Sequence, residues 1–178
     1  MRYFAIILVL TFASSNMFKK KPERINLSIE NFQLKTDSLN GTVNGEPYST
    51  VMNTYESEIT MFDKAISLRF DPDELEIELS QFISKVENNI NWIQENKKVI
   101  NKAIIREMLS LKNEVWLDEN ESIVGEKEFL KRIFIADITF FDDSSFEIYY
   151  NDGDLFWGHV IIVCVTNELH IDEIKLGG

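Results

Sequence analysis

The chain has 178 residues, 44% of them hydrophobic, and carries 30 acidic against 18 basic side chains for a formal net charge of −12. That length supports one ordinary domain with a real core, and the hydrophobic share argues against global disorder. The charge argues against a nucleic-acid binder, because phosphate contacts need clustered Lys and Arg; it suits a solvated acidic surface or a basic protein partner steered by charge.

Residues 3–12 form an apolar run after Arg2 and before Ala13, Ser14 and Ser15, the pattern of a signal peptide. The run is short for a membrane span, and no lipoprotein cysteine follows it. Lys19, Lys20 and Lys21 favour retention inside, and Met17 followed by Phe18 and these lysines reads as a cytosolic start. Residues 1–16 are therefore a signal-like segment or a mis-called extension. The expectation is a cytoplasmic protein, with export or anchoring through that segment as the alternative, and no membrane contact elsewhere. Residues 17–178 read as a single α+β domain: 17–72 mainly strands, 73–116 helices, 126–178 a short helix and a β-hairpin sheet.

Within that domain, residues 25–34 alternate apolar and polar as a half-buried strand would. Asn40-Gly41 and Asn44-Gly45 mark turns. Residues 58–70 alternate again, with Asp63-Lys64 a tight reversal or a bulge. Asp71-Pro72-Asp73-Glu74 predicts a turn and an acidic helix start. Leu75, Leu79, Phe82, Val86, Ile90 and Ile93 recur at helical spacing, as do Ile100, Ile104, Met108, Leu111 and Val115. The polar stretch 94–98 between them predicts a bend or an interhelix turn, and two antiparallel helices suit a compact domain. A polar linker spans 118–125, a short helix 126–133, and strands 134–141, 146–151, 155–166 and 169–176. The sum is an antiparallel sheet of hairpin-connected strands packed against two or three helices.

Asn151-Asp152-Gly153-Asp154 is the strongest local signal. Asp-Gly between two strand-like runs predicts a two-residue hairpin loop. That register sets Tyr150 opposite Leu155, Ile148 opposite Trp157, Phe146 opposite His159, Tyr149 opposite Phe156 and Glu147 opposite Gly158. It leaves Asp152 and Asp154 in water, makes His159 a core imidazole satisfied by a hydrogen bond, and makes Trp157 a large buried anchor. The apolar run 160–165 predicts a central strand covered on both faces. Cys164, the single cysteine, reads as an inert buried thiol that forms no intrachain disulfide.

No nucleophile elbow, P-loop or dinucleotide glycine pattern is present. An EF-hand fails, because Gly153 at the loop glycine places Ile148 and Tyr150 at ligand positions. His170 is the other histidine, so no metal and no cofactor is expected. One alternative reading is an enzyme using Asp152, Asp154 and His159 as an acid–base or metal constellation, which requires those side chains to converge in a cleft. Another is an exported or anchored binding protein.

Asn113-Glu114-x-Trp116, a short helix carrying Phe129, the aromatic strand 146–150 and the run Asp152-Gly153-Asp154-Leu155-Phe156-Trp157-Gly158-His159 follow one another. Together they resemble a bacterial family of unknown function with an Asp-Gly-Asp-Leu-Phe-Trp-Gly-His signature, over roughly the last hundred residues. The resemblance makes Trp116, Gly153, Trp157, Gly158 and His159 a structural signature, and implies an immunity protein encoded beside a polymorphic toxin. The apolar amino terminus departs from that family's pattern. The expected function is a non-enzymatic inhibitor of a basic toxin domain or other basic protein. Its contacts are expected at Asp152 and Asp154, with Asp142, Asp143 and Glu147 nearby and Tyr149 as an aromatic anchor.

Overall fold

The computed structural model describes residues 23–178, so every expectation placed on residues 1–22 lies outside it. Seven strands stand in chain order across one sheet: β1 (Gln33–Val43), β2 (Glu46–Met61), β3 (Lys64–Phe70), β4 (Phe134–Phe140), β5 (Phe146–Asn151), β6 (Val160–Val165) and β7 (Ile171–Gly177). Neighbours are antiparallel except β3 and β4, which run parallel. A parallel pair cannot close through a hairpin, and here the crossover carries α1 (Leu79–Val115) and α2 (Glu126–Arg132). The fold is α+β, with a mostly antiparallel sheet and two helices.

The tight turns obey backbone chirality. β1 and β2 close over Asn44-Gly45, with φ of 51° and 87°, and β2 and β3 close over Phe62-Asp63, with φ of 56° and 62°. Left-handed geometry at both central residues matches the strand twist. The second reversal thus sits one residue before the expected Asp63-Lys64, and Asn40-Gly41 lies inside β1 rather than at a turn. β3 pairs with residues 55–61 of β2, so the distal part of the β1–β2 hairpin is a two-stranded ribbon with exposed Leu39, Val51 and Met52.

Residues 25–28 do not form the expected strand. Their backbone is bound by α1 side chains: Asn91 accepts from the Ile25 amide at 3.1 Å and donates to its carbonyl at 2.9 Å, and Glu87 accepts from the Leu27 amide at 3.0 Å. Asp71–Glu74 does make a capped turn, but the helix starts five residues after Glu74, at Leu79.

α1 is one helix of 37 residues, where two were expected. At 1.5 Å per residue it is about 55 Å long. The stretch 94–98 lacks Gly and Pro, and its Gln, Glu and Lys are good helix formers. The core-facing phase also carries across it, from Ile93 to Ile100, Ile104, Met108 and Lys112, while none of residues 94–98 is buried. Lys97 keeps its place by laying its ammonium 3.8 Å over the Phe62 ring, so its stem packs while its head reaches out. Among the described residues no helix is long and apolar enough to cross a membrane.

Both helices pack on one sheet face, against Phe70, Ile138, Phe140, Phe146, Ile148 and Val163. Phe82 meets Phe70 at 4.9 Å between ring centroids, and Trp92 meets Phe146 edge-on at 6.1 Å. An irregularity in β4 between Ile135 and Asp137 turns Asp137 to the open face beside Arg69. β6 is flanked by β5 and β7 and carries Ile161, Val163 and Val165 inward; Ile162 is buried on the other face, while Cys164 is half-buried.

Because Ile104 is fully buried on the single helix and Val99 is 57% exposed, Ile104→Ala should lower unfolding free energy by about 2–5 kcal/mol in urea. Val99→Ala should change it by less than about 0.5 kcal/mol. Equal effects would contradict this helix phase.

Candidate functional site

The β5–β6 connection is not the two-residue hairpin that Asp152-Gly153 suggests. Asn151 pairs with Val160, and the true partners are Tyr150 with Ile161, Tyr149 with Ile162, Ile148 with Val163, Glu147 with Cys164 and Phe146 with Val165. Residues 152–159 form a folded loop instead. Two successive turns build it: the Leu155 amide donates to the Asp152 carbonyl at 3.2 Å, and the His159 amide to the Phe156 carbonyl at 3.1 Å. Their central residues are all left-handed, Gly153 and Asp154 at φ 58° and 61°, Trp157 and Gly158 at 56° and 87°.

The Asp152 carboxylate organises both turns. Far from standing in water, it is 3% exposed. One oxygen accepts from the Asp154 amide at 3.2 Å; the other accepts from Phe156 at 2.6 Å and Gly158 at 3.4 Å. Leu155 and Phe156 drop fully into the core, where Phe156 meets Trp116 and Phe129 edge-on. Strand alternation in a hairpin would send these two adjacent side chains to opposite sheet faces, whereas the wider loop buries both.

A second network ties the loop to the helices. Lys112, 0% exposed, donates from Nζ to the Trp116 carbonyl at 2.6 Å and to Glu121 at 2.5 Å. Arg132 bonds the other Glu121 oxygen at 3.4 Å and donates from Nε to the Gly153 carbonyl at 2.9 Å. The bond from Lys112 is the chief cause holding the Glu121 carboxyl below its ordinary range. A Cβ on Gly153 would stand 2.6 Å from the Arg132 carbonyl oxygen, so glycine is required there on contact as well as on φ.

What the loop displays is Trp157. It is 59% exposed, not the buried anchor expected, and lies edge-on to Trp116 at 4.9 Å. The other edge of this aromatic group is His159, also 4.9 Å from Trp116. The half-buried His159 is hydrogen-bonded, as expected, though in a loop rather than a strand: Nδ1–H donates to the Phe156 carbonyl at 2.8 Å, which fixes the tautomer.

The remaining candidates are not gathered here. Asp142 and Asp143 are exposed in the β4–β5 turn, at the opposite end of β5, and Asp143 accepts from the Ser145 amide at 2.8 Å. Glu147 and Tyr149 sit on the open sheet face. Tyr149 donates to Glu147 at 2.5 Å, while Cys164 and Lys175 reach the other Glu147 oxygen at 3.3 Å each. Burial first, then the Glu147 bond, pushes the Tyr149 hydroxyl up to about 12. Burial pulls the Glu147 carboxyl upward, but the bonds from Tyr149, Cys164 and Lys175 outweigh it and hold it low. Arg69 and Asp137 pair beside this group. Arg69, Asp137 and Lys175 escaped the sequence reading, because strand alternation fixes a residue's face only once the bulge and the register are known. Asp154 is exposed at the loop surface. Among the described residues no group of three or more His, Cys, Asp and Glu could hold a metal ion.

An α+β domain with a carboxylate-centred aromatic loop is the class that fold and site define. A family model described as an uncharacterized protein conserved in bacteria (DUF2262) matches residues 47–176, and the chain belongs to that family. Searches of the curated proteins and of the solved structures each found no match.

Asp152→Ala should cost about 2–4 kcal/mol of unfolding free energy, since three amides lose their acceptor, whereas the exposed Asp154→Ala should change it by under about 0.5 kcal/mol. Comparable urea midpoints for the two would contradict the loop assignment. Because Glu121 is held ionised below the ordinary carboxylate range, chiefly by Lys112, it contributes stability that is present above that range and is lost as pH falls through the folded value. Stability of Glu121→Gln should therefore fall less steeply than wild type below about pH 4; parallel profiles would show that the Lys112 pair contributes nothing.

Proposed function

We propose that the chain is a non-enzymatic protein-binding domain, an immunity-type inhibitor that blocks a toxin or another basic protein, and that Trp157 is its anchor. The observation behind this reading is an indole held 59% exposed in left-handed backbone by a loop whose neighbouring Leu155 and Phe156 are fully buried and whose Asp154, Phe156 and Gly158 amides are bound by the buried Asp152. A β-type side chain in that backbone region is strained, and an exposed indole recovers little burial in exchange. Such strain is retained where the displayed group has work outside the chain.

The surroundings suit a basic partner. Asp154 on the loop and Asp118 and Glu119, just after Trp116, are exposed acids within the same region. They would steer encounter, while Trp157 backed by Trp116 supplies the apolar contact that limits dissociation. Asp152 belongs to the architecture of this surface rather than to its contacts. Tyr149 is the weaker anchor, because its hydroxyl is already engaged by Glu147.

The test is binding between the purified chain and the basic protein that co-purifies with it in stoichiometric amount. Trp157→Ala should weaken the complex by at least roughly 30-fold, a hot-spot effect, with unfolding free energy unchanged within about 0.5 kcal/mol. Asp154→Lys should slow association and flatten its salt dependence. Undiminished affinity in both variants would remove this surface from the interface.

A further inference from the structure

A cleft of about 310 Å³ opens between the Phe62 turn, α1, the end of α2 and the start of β4. Its volume falls at the lower end of small-molecule sites and is too small for a peptide segment. Within a chain of net charge −12, every charged residue on its otherwise largely apolar wall is cationic: Lys64, Lys97, Lys131 and Arg132, of which Lys131 pairs with Glu128 and Arg132 with Glu121 outside the cleft. Lys97 lies over the Phe62 ring at 3.8 Å and Lys64 over the Phe134 ring at 4.6 Å, so two ammoniums are held by aromatic faces at the cleft. Asp63 acts on Lys97 from the turn but does not line the cavity. Across Leu130 and Asn101 a wider groove carries Lys98, Lys102 and Arg106 against one acid, Glu126.

The second observation is Tyr150. It is 4% exposed and lines this cleft, and its hydroxyl makes no hydrogen bond to another described residue. The half-buried Asn101, also on the wall, likewise has a side-chain amide bonded to no described residue. A tyrosine this deeply seated that spends no bond on the protein, beside a free amide, offers two donors to whatever occupies the cleft.

We propose that this cleft binds a small organic oxyanion, a phosphate or carboxylate on a compact apolar body. The Tyr150 hydroxyl and the Asn101 amide donate to the anion, and Lys97 with Lys64 and Arg132 balance its charge. The apolar body rests between Phe62, Phe134 and Ile133. This site is separate from the Trp157 surface and does not depend on the function proposed for it.

Calorimetric titration of the full chain with phenyl phosphate, benzoate, benzyl alcohol and inorganic phosphate, at constant ionic strength, tests the proposal. At least one of the two organic anions should bind saturably at one per chain, and which of them binds tighter assigns phosphate or carboxylate. Benzyl alcohol should not bind. Tyr150→Phe and Lys97→Gln should each weaken that binding about ten-fold or more, as loss of a charge-assisted bond does, while exposed Lys85→Gln leaves it unchanged. Tyr150→Phe should melt at or above the wild-type temperature, since its hydroxyl holds no protein partner. Absence of saturable binding by both organic anions, equal binding by the Tyr150 and Lys97 variants, or a lowered melting temperature for Tyr150→Phe would overturn it. Inorganic phosphate binding as tightly as phenyl phosphate would overturn the apolar-body part.

Discussion

One buried carboxylate decides the shape of the candidate surface. Without the Asp152 side chain, the amides of Asp154, Phe156 and Gly158 would have to find water, and the connection would open into solvent. With it, two left-handed turns close back to back, Leu155 and Phe156 fill the core beneath them, and Trp157 is left with nowhere to go but outward. The Lys112–Glu121–Arg132 network then fixes that loop to both helices through the Gly153 carbonyl. Packing sets where the loop lies; hydrogen bonding to one acid sets what it shows.

The same logic runs along α1. A purely apolar stripe would give a featureless core helix, but α1 buries one lysine, Lys112, and lays another, the exposed Lys97, over an aromatic ring. Lys112 is neutralised inside the protein by Glu121, and removing one partner of such a pair would strand a buried charge. Lys97 is not neutralised in that way. It extends across Phe62 toward a cavity with no acid on its wall. Net charge therefore describes this chain poorly: the acids are spread over its surface, while the cations converge around the middle of α1 and the end of α2. Two regions of opposite character result, an acidic aromatic loop and a cationic cleft.

Much of the fold was legible in the sequence. Alternation in 134–141 and 146–151 reads β4 and β5 almost to the residue, and the inward spacing of Phe129, Leu130 and Ile133 identifies α2. The polar stretch 94–98 suggests a break, yet it is the solvent side of one continuous helix: none of its residues is buried, and Ile93 and Ile100 hold the core phase on either side of it. The loop departs from its expectation for a different reason. Asp-Gly did signal a left-handed turn, but its central residues are Gly153 and Asp154 rather than Asp152 and Gly153. The signal is local, and a glycine beside an acid serves a hairpin tip or a turn within a longer loop. What separates them is whether Leu155 and Phe156 prefer the ladder or the core, and that depends on Trp116 and Phe129, distant in sequence. Trp157 and Tyr150 could not be ranked either, since exposure and missing partners are properties of the assembled structure.

Amide hydrogen exchange over residues 152–159 addresses the central claim directly. The amides of Phe156 and Gly158 should be protected in the wild-type chain and should become labile in Asp152→Asn, while the β5–β6 ladder keeps its protection. Rapid exchange of both amides in the wild-type chain, as at the open tip of a simple hairpin, would contradict the account.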